Sequence, residues 1–311
     1  MRTTTEIYRL GMVAILLLRG ANSFAAEPAA AKGPITADVL AASKPSDWRP
    51  LDPENTLYLE LTNGRVVIEL APVFAPKHVA NLKALAREHY FDGLPFVRAQ
   101  DNYVAMWADP DAEKPDKARK ISHAQRFLPP EFDRAFDEKI PFTRLPDGDV
   151  YAPEVGFSDG FPVARDRRNG KMWLVHDYGM IGSGRGDGAE TGGGTESFIV
   201  IGHSPRHLDR NDTLFGRVVQ GMELISTLPR GTGRMGFYEK PEQYIPIKTI
   251  RVAADVPESE RTQIEVLRTD TPTFQALVES RRNRSEDWFK VKASKVEIGN
   301  VPLPSRLKSP H

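Results

Sequence analysis

Cysteine is absent from the 311 residues, which removes thiol nucleophiles and cysteine–zinc sites from consideration. Seven histidines remain as candidate bases or metal ligands. His203 and His207 stand four apart, a spacing that pairs ligands on a helix, but Pro205 lies between them. They read as surface residues, and no metal site is expected. Residues 182–194 (GSGRGDGAETGGG) are rich in glycine, which lets backbone amides approach a phosphate. A phosphate loop also needs a helix after it, with the Gly-Lys-Ser/Thr or GxGxxG spacing. Here the apolar SFIVIG (197–202) follows, which reads as a strand, so the loop is a long turn rather than a nucleotide cradle. Arg-Gly-Asp at 185–187 is too short a match to signify. Arg98, inside the strand-like LPFVRAQ, would by itself read as a solvated or ion-paired residue.

The surrounding elements are mostly short strands. TLYLELTNG (56–64) alternates apolar and polar residues, and RVVIELAP (65–72) alternates again. The Asn63-Gly64 pair between them predicts a tight hairpin. Pro76 opens a segment in which Val79, Leu82, Leu85 and Ala86 share one helical face. LPFVRAQ predicts a third strand after Asp92-Gly93. Residues 108–172 show little periodicity and read as a long surface excursion with short elements. Strands are predicted again from 173 into the glycine loop, at 197–202, at 213–219 and at 246–253, with a short helix set by Val219, Met222 and Ile225. Beyond 255 lies a tail. It has helical spacing through Phe274, Leu277, Val278, Trp288 and Phe289, a basic patch at 281–284, and a candidate strand at 295–301. Many short strands with two helices in one domain suggest a closed antiparallel β-barrel.

Hydrophobic residues make up 40% and charged residues 27%, ordinary values for a globular chain with ample core material. The formal net charge is zero, so nothing points to nucleic acid or an acidic membrane as partner. Arg2 and Arg9, an apolar run at 10–18 and small residues at 23–25 have the layout of a signal peptide. The apolar run is too short to span a bilayer, which needs about 20 residues. Residues 1–25 are therefore expected to be removed and the mature protein to be periplasmic, with 26–53 as a flexible leader rich in Ala, Pro, Ser and Lys.

Four segments carry a family resemblance. FVRAQDNYVAMWADP (96–110), GMIGSGRG (179–186), GTESFIVIG (194–202) and HLDRNDTLFGRVVQGMELISTL (207–228) resemble, in that order, stretches of the cyclophilin-type peptidyl-prolyl cis-trans isomerases. The last is the most specific, because turn, strand and helix start coincide. The resemblance covers residues 54–254; an insertion at about 134–172 and the tail at 255–311 have no counterpart in the minimal domain. It implies a mainly β fold, an eight-stranded closed antiparallel barrel capped by two helices, with an outer groove for proline-containing segments of unfolded or exported proteins. By position, Arg98 would be the catalytic arginine. Tyr103, Val104, Phe198 and Leu208 would line the proline pocket. Gly184 and Arg185 would flank the residue before proline, and His207 would stand at the rim.

The chemistry that the resemblance implies needs no nucleophile, metal or cofactor, because no bond is broken. Rotation about a peptide bond meets a barrier of about 18–20 kcal/mol, and X–Pro bonds populate both isomers. A catalyst must favour the twisted amide over both planar forms. A fixed guanidinium donating to the proline nitrogen would do so while an apolar pocket grips the ring. Three positions depart from the family. Met106 stands where a glutamine usually orients the arginine, and a thioether lacks an amide's donors. Gln100, on the same strand face as Arg98, is a candidate substitute. Asp212 replaces an aromatic residue or histidine, and Glu196 replaces a glutamine. These acids, with His207, lean towards substrates with basic flanks. With Met106 in place, the alternative is a catalytically weak module that holds Pro-containing segments as a chaperone or scaffold.

Overall fold

The computed structural model describes residues 33–308. The expected signal peptide at 1–25 and the start of the leader lie outside the described residues. No helix among the described residues is long and apolar enough to cross a membrane.

In chain order the strands are β1 (Trp48–Pro50), β2 (Thr56–Leu61), β3 (Gly64–Leu70), β4 (Pro95–Ala99), β5 (Val104–Trp107), β6 (Arg134–Ala135), β7 (Thr143–Arg144), β8 (Glu154–Ser158) and β9 (Phe161–Asp166). They continue as β10 (Lys171–Leu174), β11 (Met180–Ser183), β12 (Ser197–Val200), β13 (Leu214–Gln220), β14 (Ile245–Pro246), β15 (Thr249–Val252), β16 (Ile264–Leu267) and β17 (Ser305–Leu307). The α-helices are α1 (Thr36–Ala41), α2 (Pro76–Arg87), α3 (Met222–Ser226) and α4 (Pro272–Arg282).

The main sheet has nine strands in the order β14-β4-β5-β12-β11-β13-β3-β2-β15. It curls as a half-barrel round a core to which Leu59, Ile68, Phe96, Trp107, Ile181, Ile199, Phe215 and Ile250 contribute, and α2 seals that core with Val79, Leu82, Leu85 and Ala86. The expected closed eight-stranded barrel is corrected. The two edge strands, β14 and β15, are consecutive in the chain, and the pairing passes from β4 to β2 across Ile247 and Lys248. Pro246 in β14 has no N–H to give, so the edge ladder with β4 is only two residues long. The first hairpin also differs in detail. Leu61 pairs with Gly64, so the loop residues are Thr62 and Asn63 rather than Asn63 and Gly64.

Outside the family-like segments the structure departs furthest from expectation. The leader is not a loose segment from Gly33 on: α1 packs on α4, and β1 joins a three-stranded sheet in the order β1-β16-β17. The 134–172 excursion is not irregular surface but a five-stranded sheet, β6-β10-β9-β8-β7. Leader, insertion and tail share a second core through Val39, Trp48, Phe157, Trp173, Phe274 and Leu277. No one of the three has enough apolar surface to bury by itself, so the core that they build together does not show in any one of them. Ion pairs fasten this layer to the main sheet. Arg49 on β1 reaches Glu69 on β3 at 2.6 Å and Asp159 in the β8–β9 turn at 2.9 Å, while Arg217 on β13 meets Glu69 at 2.9 Å. The tail helix ends at Arg282 rather than running to Phe289. The candidate strand at 295–301 is instead a short 3-10 turn at Ile298–Asn300, with β17 following it.

Candidate active site

The site begins with a defect in strand pairing. Phe96 opposes Trp107 across β4 and β5, yet Arg98 opposes Met106, so the register shifts between Phe96 and Arg98. Plain alternation would put Phe96 and Arg98 on one face. The bulge turns Arg98 outward while Phe96 stays in the core inside the curled sheet, a recurring way of re-aiming one side chain. From Met106 the row continues to Phe198 on β12 and then to Gly182 on β11. Arg98, Met106 and Phe198 therefore lie side by side across three strands on the outer face of the sheet. Part of that outer face is covered by Phe161, Val163, Met172 and Leu174 of the inserted sheet. The part nearest Arg98 stays open.

The opening is a cavity of about 250 Å³. Arg98, Tyr103, Val104, Met106, Gly184, Arg185, Phe198, Leu208 and Asp212 all line it, as does Glu196. His207 does not. Its exposed ring lies against the far side of Tyr103, with ring centroids 6.3 Å apart and planes within 4°, and it faces a neighbouring groove. Two close approaches shape the floor. A side chain on Gly182 would place its Cβ 2.6 Å from the Phe198 ring, and one on Gly184 would place it 2.6 Å from Glu196 Oε1. Both positions admit only glycine without a shift of those neighbours.

The guanidinium is held on two sides. Arg98 Nε donates to the Met235 carbonyl at 2.7 Å, and Nη2 donates to Gln100 Oε1. Nη1 is without a protein partner among the described residues. The cation also lies over the rings of Phe237 and Tyr103, at 5.2 and 5.6 Å from their centroids. Burial draws the Arg98 pKa down from its ordinary value, with Tyr103 and Glu196 opposing that shift; an arginine stays charged regardless. Glu196 is pushed above the usual carboxylate range by burial, and Arg98 opposes this in part. Asp212 is raised for the same reason, with His176 and Arg185 acting against it; its Oδ1 is 3.2 Å from Arg185 Nε.

Two lining residues, Met235 and Phe237, were missed by sequence reading. They belong to the loop after α3, which hydrogen-bonds along β4: Gly231 N–H donates to Ala99 O at 3.0 Å and Tyr238 N–H to Val97 O at 2.9 Å. The run GTGRMGFY (231–238) offered a signal, a glycine-spaced loop carrying a thioether and two aromatics. On the opposite wall, Asp209 anchors the turn bearing Leu208. It accepts from the His176 backbone N–H at 2.9 Å, lies 3.1 Å from His176 Nδ1, and accepts from Arg206 Nε at 2.7 Å. The His176 ring in turn lies parallel to Phe198, with centroids 6.2 Å apart. Among the described residues no cluster of His, Asp and Glu is arranged to hold a metal ion.

Comparison with known proteins fits this geometry. The family model described as cyclophilin type peptidyl-prolyl cis-trans isomerase/CLD matches residues 56–252. A probable peptidyl-prolyl cis-trans isomerase of Brucella suis biovar 1 is 28% identical over 201 residues, covering 62% of this chain and 82% of the relative. The human peptidyl-prolyl cis-trans isomerase-like 1 is 23% identical and is covered over 99% of its length by 70% of this chain. Among solved structures, the cyclophilin AquaCyp293 from Hirschia baltica aligns over 87% of this chain and 96% of its own, with a TM-score of 0.68 and 25% identity. The extent of the family match, which spans the curled sheet and the cavity on its outer face, means that the chain belongs to the cyclophilin-type peptidyl-prolyl cis-trans isomerases.

Proposed function

We propose that the chain isomerises X–Pro bonds of exported proteins in the periplasm, with Arg98 as the catalytic residue. The observation that carries this reading is a guanidinium fixed through Nε and Nη2 at the wall of a cavity with Val104, Met106 and Phe198 as its floor and Leu208 on the opposite wall. A proline ring seated on that floor would bring its nitrogen towards the free Nη1. Twisting the amide localises a lone pair on that nitrogen, and Nη1 donates to it. The donation is strong because the cation is largely dry and already oriented, so little reorganisation accompanies the twist. Gly184 and Arg185 would flank the residue before proline. The signal-peptide layout of residues 1–25 supports export.

The test is a proline-peptide isomerisation assay on the wild type and on Arg98→Ala. Activity above the uncatalysed rate that drops at least about tenfold in the variant is expected, equivalent to roughly 1.4 kcal/mol of transition-state stabilisation. Equal rates for the two proteins would reject the role of Arg98. Binding of a proline peptide without acceleration by either protein would make the chain a holding module instead.

A further inference from the structure

A larger groove adjoins the Arg98 cavity. It encloses about 820 Å³, within the range of built ligand sites, and Tyr103 lines both spaces. Besides Asn102 and Tyr103, its walls come from three further parts of the chain: the 147–151 loop of the insertion, the 203–207 loop that ends at His207, and residues 295–297 of the tail. The first and last of these belong to the insertion and tail that have no counterpart in the minimal domain, and here they converge on the edge of the prolyl site.

The walls are fixed and their two aspartates are matched by arginines, while Lys295 and Glu297 on the tail side are exposed and of opposite sign. Arg206, 3% exposed in its side chain, donates to both oxygens of Asp149 at 2.6 and 2.9 Å. Arg282 does the same for Asp147, at 2.6 and 2.7 Å. Both carboxylates are spoken for, so the groove does not select a basic ligand through them. What it offers instead is apolar surface: Val150 is 93% exposed and Tyr151 54% exposed, and the Arg206 cation lies 5.1 Å from the Tyr151 ring centroid. Exposed apolar side chains on an ion-paired frame, continuous with a peptide cavity, suit an extended backbone carrying an apolar or aromatic side chain.

From this we infer that the groove holds the continuation of the client polypeptide, an extended apolar segment next to the prolyl bond in the Arg98 cavity. The inference rests on the isomerase reading above and deepens it. The enzyme engages a longer stretch than the prolyl dipeptide, with Val150 and Tyr151 as the contact surface.

The experiment uses the full chain and two peptide series sharing one X–Pro core. One series is extended by about four apolar residues before the proline and the other by about four after it, enough to cross the shared wall at Tyr103. One series is expected to show a KM at least about fivefold lower than the unextended core. In the double variant Val150→Ser, Tyr151→Ala the ratio of extended to core KM should return towards one, with the melting temperature reporting that the chain is folded. No gain from either extension in the wild type, or a gain that survives the double variant, overturns the groove inference. Failure of the wild type to isomerise even the core peptides would instead overturn the underlying function.

Discussion

Met106 stands directly opposite Arg98 across the β4–β5 ladder, where a cyclophilin usually carries the glutamine that orients its arginine. The lost amide is replaced from close by along the same stretch of chain. Gln100, one residue past the end of β4, accepts from Arg98 Nη2, and the Met235 carbonyl accepts from Nε. The oxygen has moved to a different residue, and Met106 has become part of the apolar floor beside Phe198.

Gln100→Ala is therefore expected to cost more than Met106→Gln. Removing the Gln100 oxygen deletes a hydrogen bond to a charged donor, about 1.5–3 kcal/mol. That corresponds to about 10- to 150-fold in kcat/KM, read in the prolyl isomerisation assay. Met106→Gln should change the rate by no more than a few-fold, because the guanidinium is already held. A large gain in Met106→Gln with no loss in Gln100→Ala would show that the orienting role was never transferred.

The row Arg98–Met106–Phe198 was partly legible in the sequence. The segments matching the family carried the residues that meet at the cavity, and strand alternation placed Gln100 with Arg98. What the sequence could not show was the bulge at Val97, because no residue there marks an inserted position; a register shift depends on the partner strand. The face that Phe198 presents is hidden for a related reason, since an apolar strand buried on both faces reads the same in either orientation. The loop bearing Met235 and Phe237 docks through backbone hydrogen bonds, so its glycine-spaced, aromatic-bearing run marks a loop without marking the strand that it meets. The second core was invisible because its apolar residues are spread over leader, insertion and tail, so none of the three shows enough of them together.

Glu196 faces the same cavity with its carboxyl pKa raised by burial, and a pH-dependent substrate preference is the expected consequence. Below its pKa the carboxyl is neutral; as pH rises through that value, above the usual glutamate range of about 4.3, it becomes an anion beside the expected position of the residue before proline. The ratio of kcat/KM for a Lys-Pro peptide over an Ala-Pro peptide should rise with pH by up to about fivefold, the upper end for a partly solvated ion pair. Asp212 titrates in the same direction, so Glu196→Gln separates the two. A ratio that rises equally in the variant would assign the effect to Asp212.

Asp209 links the cavity wall to acid stability. Burial pushes its pKa up, but bonds to His176 and Arg206 prevail and hold it below the ordinary value. A carboxylate depressed in the folded state contributes stability that is present above the unfolded value of about 3.9 and is lost as pH falls through the folded one. The wild type should therefore lose stability below about pH 4 more steeply than Asp209→Asn. At neutral pH the variant should be less stable by about 1–3 kcal/mol, since the Arg206 and His176 donors are left poorly matched. Denaturant unfolding at several pH values reads both effects, and parallel acid limbs for the two proteins would reject this account.

Phe274 tests whether the tail belongs to the folded body. It is fully buried, packs edge-on against Phe157 of the inserted sheet at 5.1 Å between centroids, and sits on α4 beside Leu277, which is buried to the same degree. Thr271 caps that helix, accepting from the Phe274 N–H at 3.2 Å. Phe274→Ala removes a core aromatic from a site that α1, β1 and the insertion enclose, so a loss of about 3–5 kcal/mol is expected. A truncation near Asp255 should cost more, because it deletes β16 and leaves β1 without its pairing partner. Thermal unfolding of both variants against the full chain checks the ordering. Because the 295–297 wall of the larger groove also departs with the tail, the truncated chain should lose any gain from extended peptides even if enough of the main sheet survives to isomerise short ones. An unchanged melting temperature for the truncation would mean that the tail rests on the molecule without stabilising it.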